Sequence, residues 1–144
     1  MKTKRKSRTQ VAALPFRVLQ GEPEVMLITS RETGRWVVPK GWLQKGRAPH
    51  LVAAREAYEE AGLVGRVRKR PIGTYRYAKR LRLESSVICK VSVFPFHVEK
   101  ELDEYPEKAV RQRCWLPPDE AASRVEERGL SKLLLTCELR PCSK

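Results

Sequence analysis

Three glutamates and an arginine crowd the stretch "REAYEEAGL", residues 55–63. In a helix, residues three and four apart share a face, so Glu56 stands beside both Glu59 and Glu60. Like charges at that spacing repel by ~0.2–0.5 kcal/mol per pair. They also occupy the last turns before Gly62, where the helix dipole favours Lys or Arg over acid. Two chemistries account for such a ridge. One is a solvated acidic face, the usual fate of charges on a helix. The other is a divalent cation, which reverses the sign of both penalties. Mg2+ takes oxygen ligands and is often held by one or two carboxylates together with phosphates and water. The segment "PKGW" favours the cation, because it brings Gly41 near the helix, where a bare backbone carbonyl can reach the same ion.

The elements that must position these groups follow from pattern. "HLVAAREAYEEA" (50–61) reads as a helix closed by Gly62, with Leu51, Ala54, Ala57, Tyr58 and Ala61 as its core stripe. Strands are expected at 11–19, 24–30 and 36–39, with Pro15 marking an edge or a bulge. Residues 40–49 read as a loop. "GRVRKRPIGTYRYAKRL" (65–81) reads as strand, turn and second basic strand, and 85–99 as the strongest strand. A loop and short strand follow in 103–116, then closing helices at 118–127 and 131–139. That order fits one α/β domain layered around a single mixed sheet.

Bulk properties narrow the class. With 144 residues, 41% of them hydrophobic, the chain suits one globular domain. No apolar run approaches the ~20 residues of a membrane span. The basic start "MKTKRKSR" leads into no apolar signal core, so residues 1–8 read as a flexible arm, 9–140 as the domain and 141–144 as a tail. A cytoplasmic setting without membrane association is expected, as monomer or homodimer. The cysteines at 89, 114, 137 and 142 lack metal or redox spacing, and Cys89 is expected in a core strand. A formal charge of +13 attracts polyanions or simply aids solubility; its size on so short a chain favours an anionic partner.

The segment "GWLQKGRAPHLVAAREAYEEAGL" (41–63) resembles the signature of the Nudix hydrolases. Gly41, Arg55, Glu56, Ala57, Glu59, Glu60, Gly62 and Leu63 fall into the register of that signature, and the looser likeness extends over about residues 9–140. The resemblance implies an α/β/α sandwich and hydrolysis of a diphosphate linked to another group. It implies that Glu56 and Glu60 hold Mg2+ or Mn2+, the ion that the Gly41 carbonyl can also reach. Glu59 would accept the proton of the attacking water and also bind metal, and Arg55 would orient the carboxylates. One position departs: Arg47 replaces the first glutamate of the signature and puts a cation near Arg55.

Within the family the chain is most similar to the diphosphoinositol polyphosphate and diadenosine polyphosphate hydrolases. That likeness assigns Arg8, Gln10, Thr29, Ser30, Arg31, Lys40, Arg82 and Arg113 to a phosphate pocket, although a solvated surface charge explains any one of the arginines equally well. Tyr75, Tyr77 and Trp115 are candidates to stack on a base; strand alternation accounts for the two tyrosines equally well, and Trp115 reads as core. Two rival functions remain open. One is a nucleotide- or RNA-binding module, weakened catalytically by Arg47. The other is a pyrophosphohydrolase acting on the 5′ end of RNA.

Overall fold

Strand β1 (Ser7–Leu19) alternates in a way that sets the layers. Val11 and Ala13 enter one buried cluster; Ala12, Leu14 and Phe16 enter another on the opposite face. In β2 (Glu22–Thr29), Met26 and Ile28 join the first cluster while Val25 and Leu27 join the second. In β7 (Ser85–Glu101), Phe94 and Phe96 oppose Val91 and Val93 in the same sense. A sheet apolar on both faces must be covered on both. Helix α1 (Pro49–Ala61) covers the first face. Helices α2 (Pro118–Arg124) and α3 (Arg128–Thr136) cover the second. The α/β/α sandwich expected from sequence is therefore present. The computed structural model describes residues 7–82 and 85–140. Most of the expected arm and all of the expected tail lie outside the described residues, but Ser7 and Arg8 belong to β1.

The sheet runs β3 (Trp36–Val37), β2, β1, β7, β5 (Leu63–Val67). Strand β4 (Lys40–Trp42) adds to β1, β6 (Gly73–Arg82) to β7, and β8 (Arg113–Leu116) to β2. β1 and β7 are parallel, from Ser7 opposite Ile88 to Phe16 opposite His97; the other strand pairs are antiparallel.

Three sequence expectations change. Pro15 lies inside β1, buried and opposite Phe96, not at an edge. Its missing donor causes no loss because β1 changes partner there. Ala13 N–H still bonds Pro39 O at 3.0 Å on that side, and pairing with β2 starts only at Phe16. Residues 40–42, expected in a loop, form β4, with Gln10 opposite Trp42, Val11 opposite Gly41 and Ala12 opposite Lys40. The buried stripe of α1 is also rotated. Leu51 and Tyr58 are 58% and 42% exposed, whereas Val52, Ala53, Ala57, Glu60 and Ala61 face the sheet. The alanines allow close approach, and one acid of the ridge is carried into the interior with them.

Candidate active site

Glu60 is only 6% exposed, and its surroundings define the site. Its Oε1 accepts the Lys40 backbone N–H at 3.3 Å, which ties α1 to β4. Its Oε2 lies 3.6 Å from Arg111 Nη2. Burial pushes the Glu60 carboxyl up to about 8. Arg111 opposes that shift, while a hydrogen bond from Glu60 to Glu56 and the charges of Glu56 and Glu107 reinforce it. Glu56 is also raised, mainly by burial, with Glu59 and Glu107 adding to the effect. Burial thus disfavours the charged form of both carboxyls, which lie one helical turn apart and act on each other. Glu56 in turn lies against the bare α-carbon of Gly41, where a β-carbon would collide with its carboxylate.

Glu59 is half-buried like Glu56, and its Oε1 meets Arg55 Nε at 3.3 Å. Among the described residues, no three His, Cys, Asp or Glu side chains are converged as a ready metal cage. The donor set nevertheless fits a hard divalent cation. Glu56 and Glu60, each raised by burial and by neighbouring carboxylates, form an oxygen pair whose charge a divalent cation would offset.

The acidic end of the helix is completed from a distant segment. Gly62 takes a left-handed conformation, φ +69°, and its N–H bonds the carbonyls of Ala57 and Tyr58. A side chain there would run into the Tyr105 ring as well as strain the backbone. Glu107 N–H bonds Glu59 O at 3.0 Å, and Leu102 N–H bonds Gly62 O at 2.8 Å. The last turn of α1 has no basic residue of its own. Arg113 supplies one: it donates to Ala61 O at 2.7 Å and to Leu102 O at 2.9 Å, and it lies 4.8 Å from the Tyr105 ring centroid.

A pocket of about 490 Å³ opens beside Glu60, lined by Gln10, Ser30, Arg31, Lys40, Lys79 and Arg111 among others. Four of the residues expected at a phosphate pocket, Gln10, Ser30, Arg31 and Lys40, meet there. Burial lowers the Lys40 amine, and Glu127 and Glu60 counter that shift. Gln10 accepts from Tyr77 Oη at 2.7 Å. Thr29 stands in an adjoining groove with Ser30 and Arg31; its Oγ1 accepts Gln112 N–H at 2.8 Å. Arg8 lies apart in a groove with Trp42, and Arg113 is taken up by the end of α1. The side chain of Arg82 lies outside the described part of the structure. Arg47 and Arg55 line a common groove on the outer side of α1, so Arg47 is not stacked on Glu56 and Glu60.

Sequence reasoning did not single out Arg111, Glu107 or Lys79. Arg111 is the hub: its Nε bonds Glu107 Oε1 at 2.8 Å, its Nη1 donates to Thr29 O at 3.0 Å, and its Nη2 faces Glu60. Its four-residue spacing from Glu107 was the only local signal. Among Glu99, Glu101, Asp103, Glu104 and Glu107, which the sequence offers as further ligands without ranking them, the charge of Glu107 acts on both Glu56 and Glu60.

Comparison with known proteins agrees with this architecture. The NUDIX domain family matches residues 7–135. "Nudix hydrolase 18, mitochondrial" of Arabidopsis thaliana is 32% identical over 134 residues, covering 88% of this chain and 74% of that protein. "Nudix hydrolase 12, mitochondrial" of the same plant is 35% identical, covering 80% of this chain and 60% of its own length. A C. elegans Ap4A hydrolase in a binary complex superposes with a TM-score of 0.68 at 19% identity, covering 89% of this chain and 93% of that one, a likeness of fold. The match to the family spans nearly all of the described residues and carries the acidic turn of α1 within it: the chain belongs to the Nudix hydrolase family.

Proposed function

We propose that this protein is a divalent-metal-dependent pyrophosphohydrolase that cleaves a diphosphate linkage in a small phosphate-rich substrate. The observation that carries the reading is the Glu56–Glu60 carboxyl pair: half-buried Glu56 is set against Gly41, and buried Glu60 opens onto a pocket walled by Lys40, Lys79, Arg31 and Arg111. Acid that gathers a cation and base that gathers phosphate stand side by side. Glu56 and Glu60 would hold Mg2+ or Mn2+, with the Gly41 carbonyl as a further oxygen donor. When bound, the ion supplies neutralisation of the diphosphate oxygens and a water of lowered pKa. Arg31, Lys40 and Lys79 bind the phosphate chain. Glu59, held by Arg55, accepts the proton of the attacking water. Arg111 keeps Glu60 and Glu107 oriented.

The substrate panel that tests this contains a diadenosine polyphosphate, an inositol pyrophosphate, nucleoside triphosphates, ADP-ribose and 5′-triphosphate RNA, each with Mg2+, with Mn2+ and with EDTA. Metal-dependent release of phosphate or nucleotide from a small member supports the proposal. Binding without turnover on any member would instead support a binding module. Among the relatives, a rat "Diphosphoinositol polyphosphate phosphohydrolase 2" is 37% identical over 60 residues, 42% of this chain. That similarity keeps inositol pyrophosphates in the panel. Several relatives are named as mitochondrial or chloroplastic, so our cytoplasmic placement is tested by cell fractionation against organelle markers.

A further inference from the structure

Trp42 is 39% exposed and belongs to neither buried cluster. It follows Gly41 directly on β4, so it points away from α1, to the same side as its cross-strand partner Gln10. That side of the sheet also carries Arg8 and Gln10 of β1, Lys40 of β4, and Tyr77 and Lys79 of β6. Cations and rings interleave across it. The Arg8 guanidinium lies 5.6 Å and the Lys79 amine 6.0 Å from the Trp42 ring centroid, and Lys40 Nζ lies 5.4 Å from that of Tyr77. Strands β4 and β6 are separated by β1 and β7, so a contact between Lys79 and Trp42 requires the face to curve inward. Lys79 also lines the phosphate pocket, and Arg8, Thr9, Trp42 and Leu43 line a second groove of about 450 Å³. Lys79 thus lines the first hollow while its amine approaches the ring that walls the second.

An exposed tryptophan bracketed by two cations, one of which reaches into a phosphate pocket, matches one ligand chemistry: an aromatic ring joined to a chain of phosphates. We propose that Trp42 is the platform on which the base of a nucleoside polyphosphate stacks, with Arg8 and Lys79 guiding its phosphates toward Lys40. This deepens the reading above and rests on it for the course of the phosphate chain. It ranks nucleotide substrates over inositol pyrophosphates, whose saturated ring offers no π face to stack. Trp42 is thereby a specificity-determining residue, and the stacking is indifferent to which base is presented.

Calorimetric titration in EDTA, where nothing is hydrolysed, tests the proposal with diadenosine tetraphosphate and inorganic tripolyphosphate on wild type, Trp42→Ala and Trp42→Phe. Trp42→Ala should weaken diadenosine tetraphosphate by about tenfold or more. It should change tripolyphosphate, which has no base, by less than about twofold. Trp42→Phe keeps a ring and should stay within about threefold of wild type for both. Equal weakening of both ligands, unchanged affinity for the dinucleotide, or no binding of it by wild type overturns the proposal. The substitutions remove no core side chain, and Trp42→Phe guards against a folding artefact. Ring-dependent binding without turnover on the panel would sink the pyrophosphohydrolase reading and leave this one standing. Turnover with ring-independent binding would do the reverse.

Discussion

Gly41 and Glu56 meet so closely that a β-carbon on residue 41 would stand 2.5 Å from Glu56 Oε2. A carboxylate is thus aligned by the absence of a side chain on the facing strand. Gly41→Ala should push Glu56 out of register with Glu60. Because about 1 Å of misplacement can cost on the order of 100-fold in rate, activity should fall by that order while the melting temperature changes little. Steady-state kinetics beside a thermal melt checks this; a rate within threefold of wild type would show that Glu56 need not be held there.

Glu60 predicts a pH dependence of stability in the metal-free protein. Its carboxyl is raised from 4.5 to about 8 on folding. Between those values the folded protein keeps a proton that the unfolded chain has released, so stability is greatest at the acid end of the window. It falls as pH rises toward 8 and then levels. Urea denaturation in EDTA at a series of pH values should show that decline in wild type and its loss in Glu60→Gln. Added Mg2+ should stabilise wild type, and Glu60→Gln much less.

The half-buried Glu59 carboxylate pairs with Arg55 at 3.3 Å. Glu59→Gln should lower kcat by about 10²–10⁴, the usual contribution of a general base. The melting temperature should stay within experimental error of wild type. Retained turnover would move the base elsewhere, with Glu107 the next candidate by position.

Arg113 was expected on the substrate and is found on the backbone. Arg113→Ala should destabilise the fold by about 2–3 kcal/mol, since hydrogen bonds to a charged group contribute ~1.5–3 kcal/mol. KM should hardly move. A raised KM at unchanged stability would return this arginine to the phosphate pocket.

Legibility followed the range of the interactions. The acidic helix, its closing glycine and the strand alternation of β1, β2 and β7 are written in neighbours three, four or two residues apart, and they were readable. Glu60 misled the reading of α1's inner face, because hydrophobic patterning assigns a glutamate to solvent and cannot see Arg111 and the Lys40 amide waiting for it. β4 was missed because three residues between a proline and a glutamine-lysine loop carry too little pattern; its existence rests on pairing with β1, thirty residues earlier. Arg111, Glu107 and Lys79 reach the site from the far half of the chain, a distance that no local spacing encodes. Arg113 carried the right charge for either role, and only its contacts with Ala61 and Leu102 chose between them.

Those contacts have a consequence for how the molecule is assembled. The carbonyls of Glu59, Ala61 and Gly62 find their partners in residues 102–113, synthesised some fifty positions later. A nascent chain that has emerged only as far as residue 100 would hold the glutamate signature on a helix whose last turn frays. Pulse-labelled amide exchange during refolding should see the N–H groups of Leu102 and Glu107, which donate to Gly62 O and Glu59 O, gain protection together with the last turn of α1, so the end of the signature is completed by residues made long after it.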